Sequence, residues 1–182
     1  MAIYTRKGDR GETFLRKGQK ILKFHIRVSS YGNIDELNSV LGVVLSKSKN
    51  KIIKDEVLKI QNDLFEIGAA LANPFEKTKD LKEFLNKRTQ EMEKSIDNLT
   101  KKIPAISNFI LPGGGETGAF LHLARTICRR VEREIIKLSK KEEIELNTIS
   151  YLNRLSDHLF TLARFANVLE RQKETIWIKK TK

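Results

Sequence analysis

The feature that most constrains this chain is its hydrophobic period. Between sparse breaks, apolar residues recur at intervals of three and four over most of its 182 residues, the repeat of an amphipathic helix. Only three prolines interrupt the pattern, Pro74, Pro104 and Pro112. Asn73-Pro74 and Ile103-Pro104 close two periodic runs, because the residue before a proline is pushed out of the helical region. Pro112 to Gly115 separates an extended stretch from the next run. The spacing predicts helices at 27–49, 51–72, 79–102, 116–140 and 147–172. Five such helices with short connections imply an all-α fold, a five-helix antiparallel bundle. Residues 1–25 hold three glycines and no helical stripe, so a short irregular or extended segment is expected there, a small hairpin being one form. The length favours a single domain over 1–182, with the N-terminal segment at 1–25 and the bundle at 26–173.

Helical phase sorts each helix into two faces. Ile34, Leu37, Leu41, Val44 and Leu45 form one expected core stripe. Phe120, Leu123, Ala124, Ile127, Val131, Ile135 and Leu138 form a second, and Leu152, Leu155, Leu159, Leu162, Ala166 and Leu169 a third. At about 100° per residue, the opposite faces carry Asp35, Asn38, Ser39 and Gly42, then Arg125, Arg129, Glu132 and Arg133, then Asn153, Asp157 and Arg164. Ordinary solvated faces mix Lys and Glu loosely. These three are short of Lys, and their guanidinium, carboxylate and amide groups suit bidentate, desolvated contacts. They are expected to meet a second subunit or a ligand, with plain solvation as the alternative. Arginine at i, i+4 and i+8 suits a polyanion.

A net charge of +12 fits nucleic acid, an acidic membrane surface or a small polyanion. It also fits a solvated Lys-rich surface, as in Lys47–Lys59, Lys77–Lys102 and Lys137–Glu145. No run of eighteen apolar residues predicts a membrane span, and MAIYTRKGDRG shows no signal-peptide core. The single Cys128 excludes an internal disulfide, and His25, His122 and His158 lack zinc spacing. A cytoplasmic protein is expected. The N-terminal Thr5-Arg6-Lys7-Gly8-Asp9-Arg10-Gly11-Glu12-Thr13 combines glycine freedom with hydroxyl and cationic groups that suit phosphate, though a plain turn fits equally. Neither GxxxxGK[ST] nor a GxGxxG fingerprint occurs, so any ATP site uses another scheme.

Four blocks align with one family: YTRKGDRGET at 4–13, RVSSYGNIDELNSVLG at 27–42, FILPGG with the LHLARTICRRVERE helix within 109–134, and YLNRLSDHLFTLAR at 151–164. Together they resemble the PduO-type ATP:cob(I)alamin adenosyltransferases, or corrinoid adenosyltransferases, over nearly the whole chain. The resemblance implies a five-helix bundle assembled as a homotrimer with active sites between subunits. It implies transfer of the 5′-deoxyadenosyl group of ATP to the cobalt of cob(I)alamin, giving adenosylcobalamin and triphosphate. Mg²⁺, bound mainly through ATP, would neutralise part of the phosphate charge.

Residue by residue, the resemblance assigns Thr5, Lys7, Gly8, Asp9, Gly11 and Thr13 to an ATP loop, and Lys23 to a phosphate-binding lysine. Arg129, Arg130, Glu132 and Arg133 match the ATP-binding part of the arginine helix, and Asn153 a nucleotide contact. Asp35 and Arg125 match a pair joining neighbouring subunits near the corrinoid, with Asp157 supporting the site or an intersubunit network. Phe109 matches an aromatic under the corrin that displaces the lower ligand; on its own it reads as a core aromatic. Two departures stand out. Lys23-Phe24-His25 replaces the family's Lys-Asp-Asp, and Gly115-Glu116 replaces a smaller, less charged pair. The other function classes are a module carrying adenosylcobalamin to a dependent mutase and a basic bundle binding nucleic acid. The latter lacks a recognition-helix pattern or an aromatic stacking platform. A cobalamin reductase and an adenosylcobalamin-dependent mutase are the further partners implied; neither membrane nor nucleic acid is expected.

Overall fold

The computed structural model describes residue 4, residues 6–73 and residues 79–179. Strands β1 (Glu12–Phe14) and β2 (Lys20–Leu22) pair antiparallel with Thr13 opposite Ile21. Their connection makes a single 3-10 turn at Arg16–Gly18, in which Lys17 (φ 70°) and Gly18 (φ 83°) are left-handed. The Arg16 N–H donates to the Ala72 carbonyl at 3.0 Å and fastens this hairpin to the bundle. Residues 12–22 of the N-terminal segment are therefore a small hairpin, one of the forms expected there.

The five helices are α1 (Ile26–Lys47), α2 (Lys51–Leu71), α3 (Lys79–Thr100), α4 (Glu116–Ser139) and α5 (Asn147–Leu169). Their limits follow the hydrophobic period closely; α5 stops at Leu169, short of the expected 172. Caps set two of the starts. His25 Nδ1 accepts from the Arg27 N–H at 3.2 Å, and Asn50 Oδ1 from the Ile53 N–H at 3.2 Å, each meeting a donor that the first turn leaves open.

Helix α4 lies between α1 and α5, with α2 outside α1 and α3 outside α5. Leu37, Leu41 and Val44 of α1 are buried, as are Ile60, Leu64 and Ile67 of α2, Val131 and Ile135 of α4, and Leu155 and Leu159 of α5. Each such side chain contributes about 1.5–3 kcal/mol of burial before the entropy of ordering is subtracted. Helices α2 and α3 touch little, and polar groups tie them instead. Arg88 Nε donates to both oxygens of Asp63 at 2.9 Å, and the Tyr151 hydroxyl adds a third bond at 2.8 Å. Burial pushes the Asp63 carboxyl up from its ordinary pKa, against the pull of Arg88 and Tyr151. Nearby, the Ser95 hydroxyl donates to Glu56 at 3.0 Å and lies 3.2 Å from His158 Nε2.

Four positions depart from the helical-wheel expectation. Leu123 and Leu169 are 46% and 43% exposed rather than core. Asn38 turns inward, because α1 is flanked by both α2 and α4 and its buried arc is wider than one stripe. Its carbonyl accepts from Gln61 Nε2 at 3.0 Å. Arg164 is also buried, under segments that a wheel cannot show. Its guanidinium grips Glu174 at 2.9 Å and donates to the Pro104 carbonyl at 2.7 Å. Beyond α5 the chain runs back along the extended 109–111 stretch. The Leu111 N–H donates to Thr175 O, and the Trp177 N–H to Phe109 O, each at 2.8 Å. Among the described residues no helix is long and apolar enough to cross a membrane.

Candidate functional site

The arginine stripe of α4 points away from the core, as its phase requires. Arg129 and Arg133 are exposed, and neither enters an ion pair among the described residues. The Arg133 Nη1 merely donates to the Arg129 carbonyl at 3.0 Å. Arg125 is half-buried, and its Nε is enclosed without a hydrogen-bond partner among the described residues. Burial, then the charge of Arg129, pushes its pKa below the ordinary guanidinium value. His122, one turn earlier, is enclosed with both ring nitrogens unpartnered and its ring edge-on to Phe160. Burial, then Arg125, drives its pKa down to about 4, so it is neutral at pH 7. Arg125, Arg129 and Arg133 share this face with Glu132, and none of the three enters an ion pair among the described residues.

On the α5 side, Asn153 Nδ2 donates to Glu132 Oε1 at 3.2 Å. Asp157 is exposed and accepts from Arg154 at 2.9 Å. On the α1 side, Arg130 is already engaged: it pairs with Glu36 at 2.6 Å and donates to Asn33 Oδ1 at 2.6 Å. Asp35 is exposed and makes no ion pair with Arg125 within the chain.

Further N-terminal, a compact loop closes on Lys23. The Asp9 N–H donates to Arg6 O and the Gly11 N–H to Gly8 O, at 3.4 and 3.3 Å. Gly11 sits at φ 78°, where only glycine is unstrained. The Lys23 N–H reaches Gly11 O at 2.9 Å, and a Cβ on Gly8 would come 3.0 Å from Lys23 Nζ. Gly8, Gly11 and Lys23 are thus brought together. Lys7 and Asp9 are exposed beside them, and Thr13 is half-buried in β1. Thr5 lies outside the described residues. No hydrogen bond or ion pair among the described residues joins this loop to the arginines of α4.

Phe109 is 80% exposed, which overturns its reading as a core aromatic. It lies on the surface ladder between 109–111 and 175–177, where its ring meets Trp177 edge-on at 6.4 Å. The two departures have structural roles. Phe24 is exposed at the surface while His25 caps α1. Gly115 is the N-cap of α4, and Glu116 pairs with Lys47 at 2.7 Å. A cleft of about 800 Å³ between the hairpin and the α4–α5 link, lined in part by Ile21, Phe24 and Glu134, holds none of the assigned residues. No three of His, Cys, Asp and Glu gather into a metal-sized cluster among the described residues. Sequence reasoning missed Asn33 and Glu36, which bear no signal beyond helix phase. It also missed the extended C-terminal segment that bridges to Ile110, for which the β-branched and aromatic run Thr175-Ile176-Trp177-Ile178 was a usable signal.

Cations that form no ion pair among the described residues line one helix face, and a glycine-cornered loop over a lysine adds another cationic feature; both suit an anionic ligand. A helical bundle built this way belongs with binders of phosphorylated ligands. More particularly, the chain belongs to the family described as cobalamin adenosyltransferase, whose model matches residues 3–166. It is 43% identical over 171 residues to a corrinoid adenosyltransferase of Bacillus subtilis, covering 92% of this chain and 87% of that one. Against the corrinoid adenosyltransferase PduO of Citrobacter freundii, identity is 39% over 165 residues. That match covers 90% of this chain and 49% of the relative, so the chain spans about half of that protein's length. A variant of the PduO-type ATP:corrinoid adenosyltransferase of Lactobacillus reuteri has been solved in complex with cobalamin and ATP. It matches with a TM-score of 0.89 at 37% identity, over 98% of this chain and 100% of that one.

Proposed function

We infer that this chain is an ATP:corrinoid adenosyltransferase: it moves the 5′-deoxyadenosyl group of ATP onto the cobalt of cob(I)alamin. The observation that carries this reading is the unpaired arginine stripe of α4 within a bundle of this family. In the reaction the cobalt lone pair attacks the ribose C5′. The cobalt–carbon bond forms, the C5′–oxygen bond breaks, and triphosphate leaves with the bonding electrons. Two demands follow: stabilising charge on the leaving triphosphate, and holding C5′ in line with cobalt. Arg129 and Arg133 supply guanidinium groups with free donors, and Gly8, Gly11 and Lys23 supply a turn and an ammonium group. Glu132 and Asn153, bonded to each other, would contact the nucleotide beside them. Arg130 contributes only as far as Glu36 and Asn33 release it.

Mg²⁺ enters on the nucleotide in this proposal. It would offset phosphate charge there. A homotrimer completes the site. The enclosed, partnerless Nε of Arg125 and the exposed Asp35 support a contact between subunits. Light scattering that gives a monomer at micromolar concentration would remove this part. A cytoplasmic setting, with a reductase supplying the electron and a mutase consuming the product, completes the proposal.

The decisive experiment is an anaerobic assay that follows the spectrum of chemically reduced cob(I)alamin with ATP and Mg²⁺. Conversion to the adenosylated spectrum with release of triphosphate is expected. Binding of adenosylcobalamin without turnover would instead make the chain a carrier.

A further inference from the structure

We propose that Asn167, in the last turn of α5, is a positioning residue: its side-chain amide clamps the Pro112–Gly115 turn and so fixes the backbone from which Phe109 is presented to the corrinoid. The proposal rests on the adenosyltransferase reading above and on the corrinoid role that the family resemblance gives Phe109.

Asparagine is mostly a surface residue, yet Asn167 is 1% exposed. Both ends of its amide are used. Oδ1 accepts from the Gly115 N–H at 3.1 Å, and Nδ2 donates to the Gly113 carbonyl at 3.0 Å. The amide therefore bridges the two sides of Gly114, which sits at φ 110°. A buried amide is costly unless its bonds are made, so it selects one geometry of the turn. The turn is built to let it in. A Cβ on Gly114 or Gly118 would fall inside the Asn167 amide, and one on Gly118 would also come 3.2 Å from the Ala163 carbonyl. A Cβ on Gly115 would run into the Glu170 carboxylate. Glycine spacing that looks like simple punctuation is thus a fitted seat for one side chain.

The same residue holds the other side of the segment. The Gln172 N–H donates to the Asn167 carbonyl at 2.8 Å and starts the tail that pairs with 109–111. The turn after Phe109 and the strand beside it are both anchored at Asn167. Between these anchors the Phe109 ring stands exposed, with the edge contact to Trp177 beside it. An exposed ring can displace a ligand from a flat macrocycle only if the backbone beneath it does not yield. A clamp that does not touch substrate supplies that resistance.

The test uses full-length Asn167→Ala and the isosteric Asn167→Asp, which keeps an acceptor for Gly115 and loses the donor to Gly113. Steady-state kinetics would vary ATP and cob(I)alamin separately. Emission from Trp177, the sole tryptophan, reports on the ladder without turnover. With cob(I)alamin saturating, turnover should fall on the order of tenfold to a hundredfold for Asn167→Ala, the scale of a reacting group displaced by about 1 Å. The KM for ATP should stay unchanged, and Trp177 emission should move to the red as its ring loses Phe109. Should Asn167→Ala fail to fold, Asn167→Asp carries the same expectation with a smaller loss. A folded variant that weakens ATP and corrinoid use equally, or changes neither, overturns the clamp. If the wild type itself shows no turnover, the enzyme reading falls separately. The emission arm then decides alone, and an unmoved Trp177 spectrum overturns the proposal.

Discussion

Two sets of arginines divide this molecule. Arg27, Arg88 and Arg164 are buried or nearly so, and each is paired with a carboxylate. Arg27 pairs with Glu142 at 2.6 Å and donates to the carbonyls of Leu71 and Glu143. Arg88 binds Asp63 and Glu91, and Arg164 binds Glu174 and Pro104 O. Each joins segments far apart in sequence, and the charge of each is already met by a carboxylate of the chain. Arg125, Arg129 and Arg133 lie along a single helix, and none of them enters an ion pair among the described residues. The same side chain is a cross-link in one region and an open socket in the other, and what separates them is whether the fold supplies the carboxylate.

The sharpest way to break this contrast is to exchange the expected phenotypes. Arg88→Ala leaves the buried Asp63 carboxylate without its cation, a change that costs about 3–5 kcal/mol. Urea unfolding should show that loss in the midpoint, while folded protein keeps its wild-type turnover. A fall in turnover per folded molecule would mean that the cross-links also shape the site. Arg129→Ala should do the reverse. A charge-assisted bond to phosphate is worth about 1.5–3 kcal/mol, which is roughly tenfold to over a hundredfold in kcat/KM for ATP. The urea midpoint should not move, because the side chain is exposed and unpaired. Unchanged kinetics would take Arg129 out of the site.

The division between the two sets was only partly legible in the sequence. The helices were legible because a period of 3.6 persists across each of them, and the outward phase of Arg125, Arg129 and Arg133 came with it. Arg164 has an outward phase too, yet residues 161–167 are all buried. The cover comes from Pro104 and Glu174, in segments outside the helix, and a wheel contains no information about them. Phe109 fails in the opposite sense: its apolar neighbours suggest a core, but the ladder it joins runs on the surface. The glycines at 8 and 11 marked a turn. That the turn closes on Lys23 depends on the β1–β2 register, which returns the chain to it. For the ligand roles, the family blocks supplied what phase could not.

Arg130 lies on the border between the two sets, and it offers the finest test. It sits in the arginine run yet pairs with Glu36, and the two side chains are 41% and 49% exposed. Exposed pairs contribute about 0–1 kcal/mol, so Glu36→Gln should barely move the urea midpoint. Its kinetic effect discriminates. If Arg130 is held in reserve for phosphate, releasing it from Glu36 should lower the KM for ATP slightly, and Arg130→Ala should raise it by less than Arg129→Ala does. If Arg130 is a cross-link like Arg88, neither change should touch ATP, and both should lower the midpoint by the same small amount. Competition between carboxylate and phosphate for one guanidinium would then be absent, and the boundary between socket and cross-link would run between adjacent residues, Arg129 and Arg130.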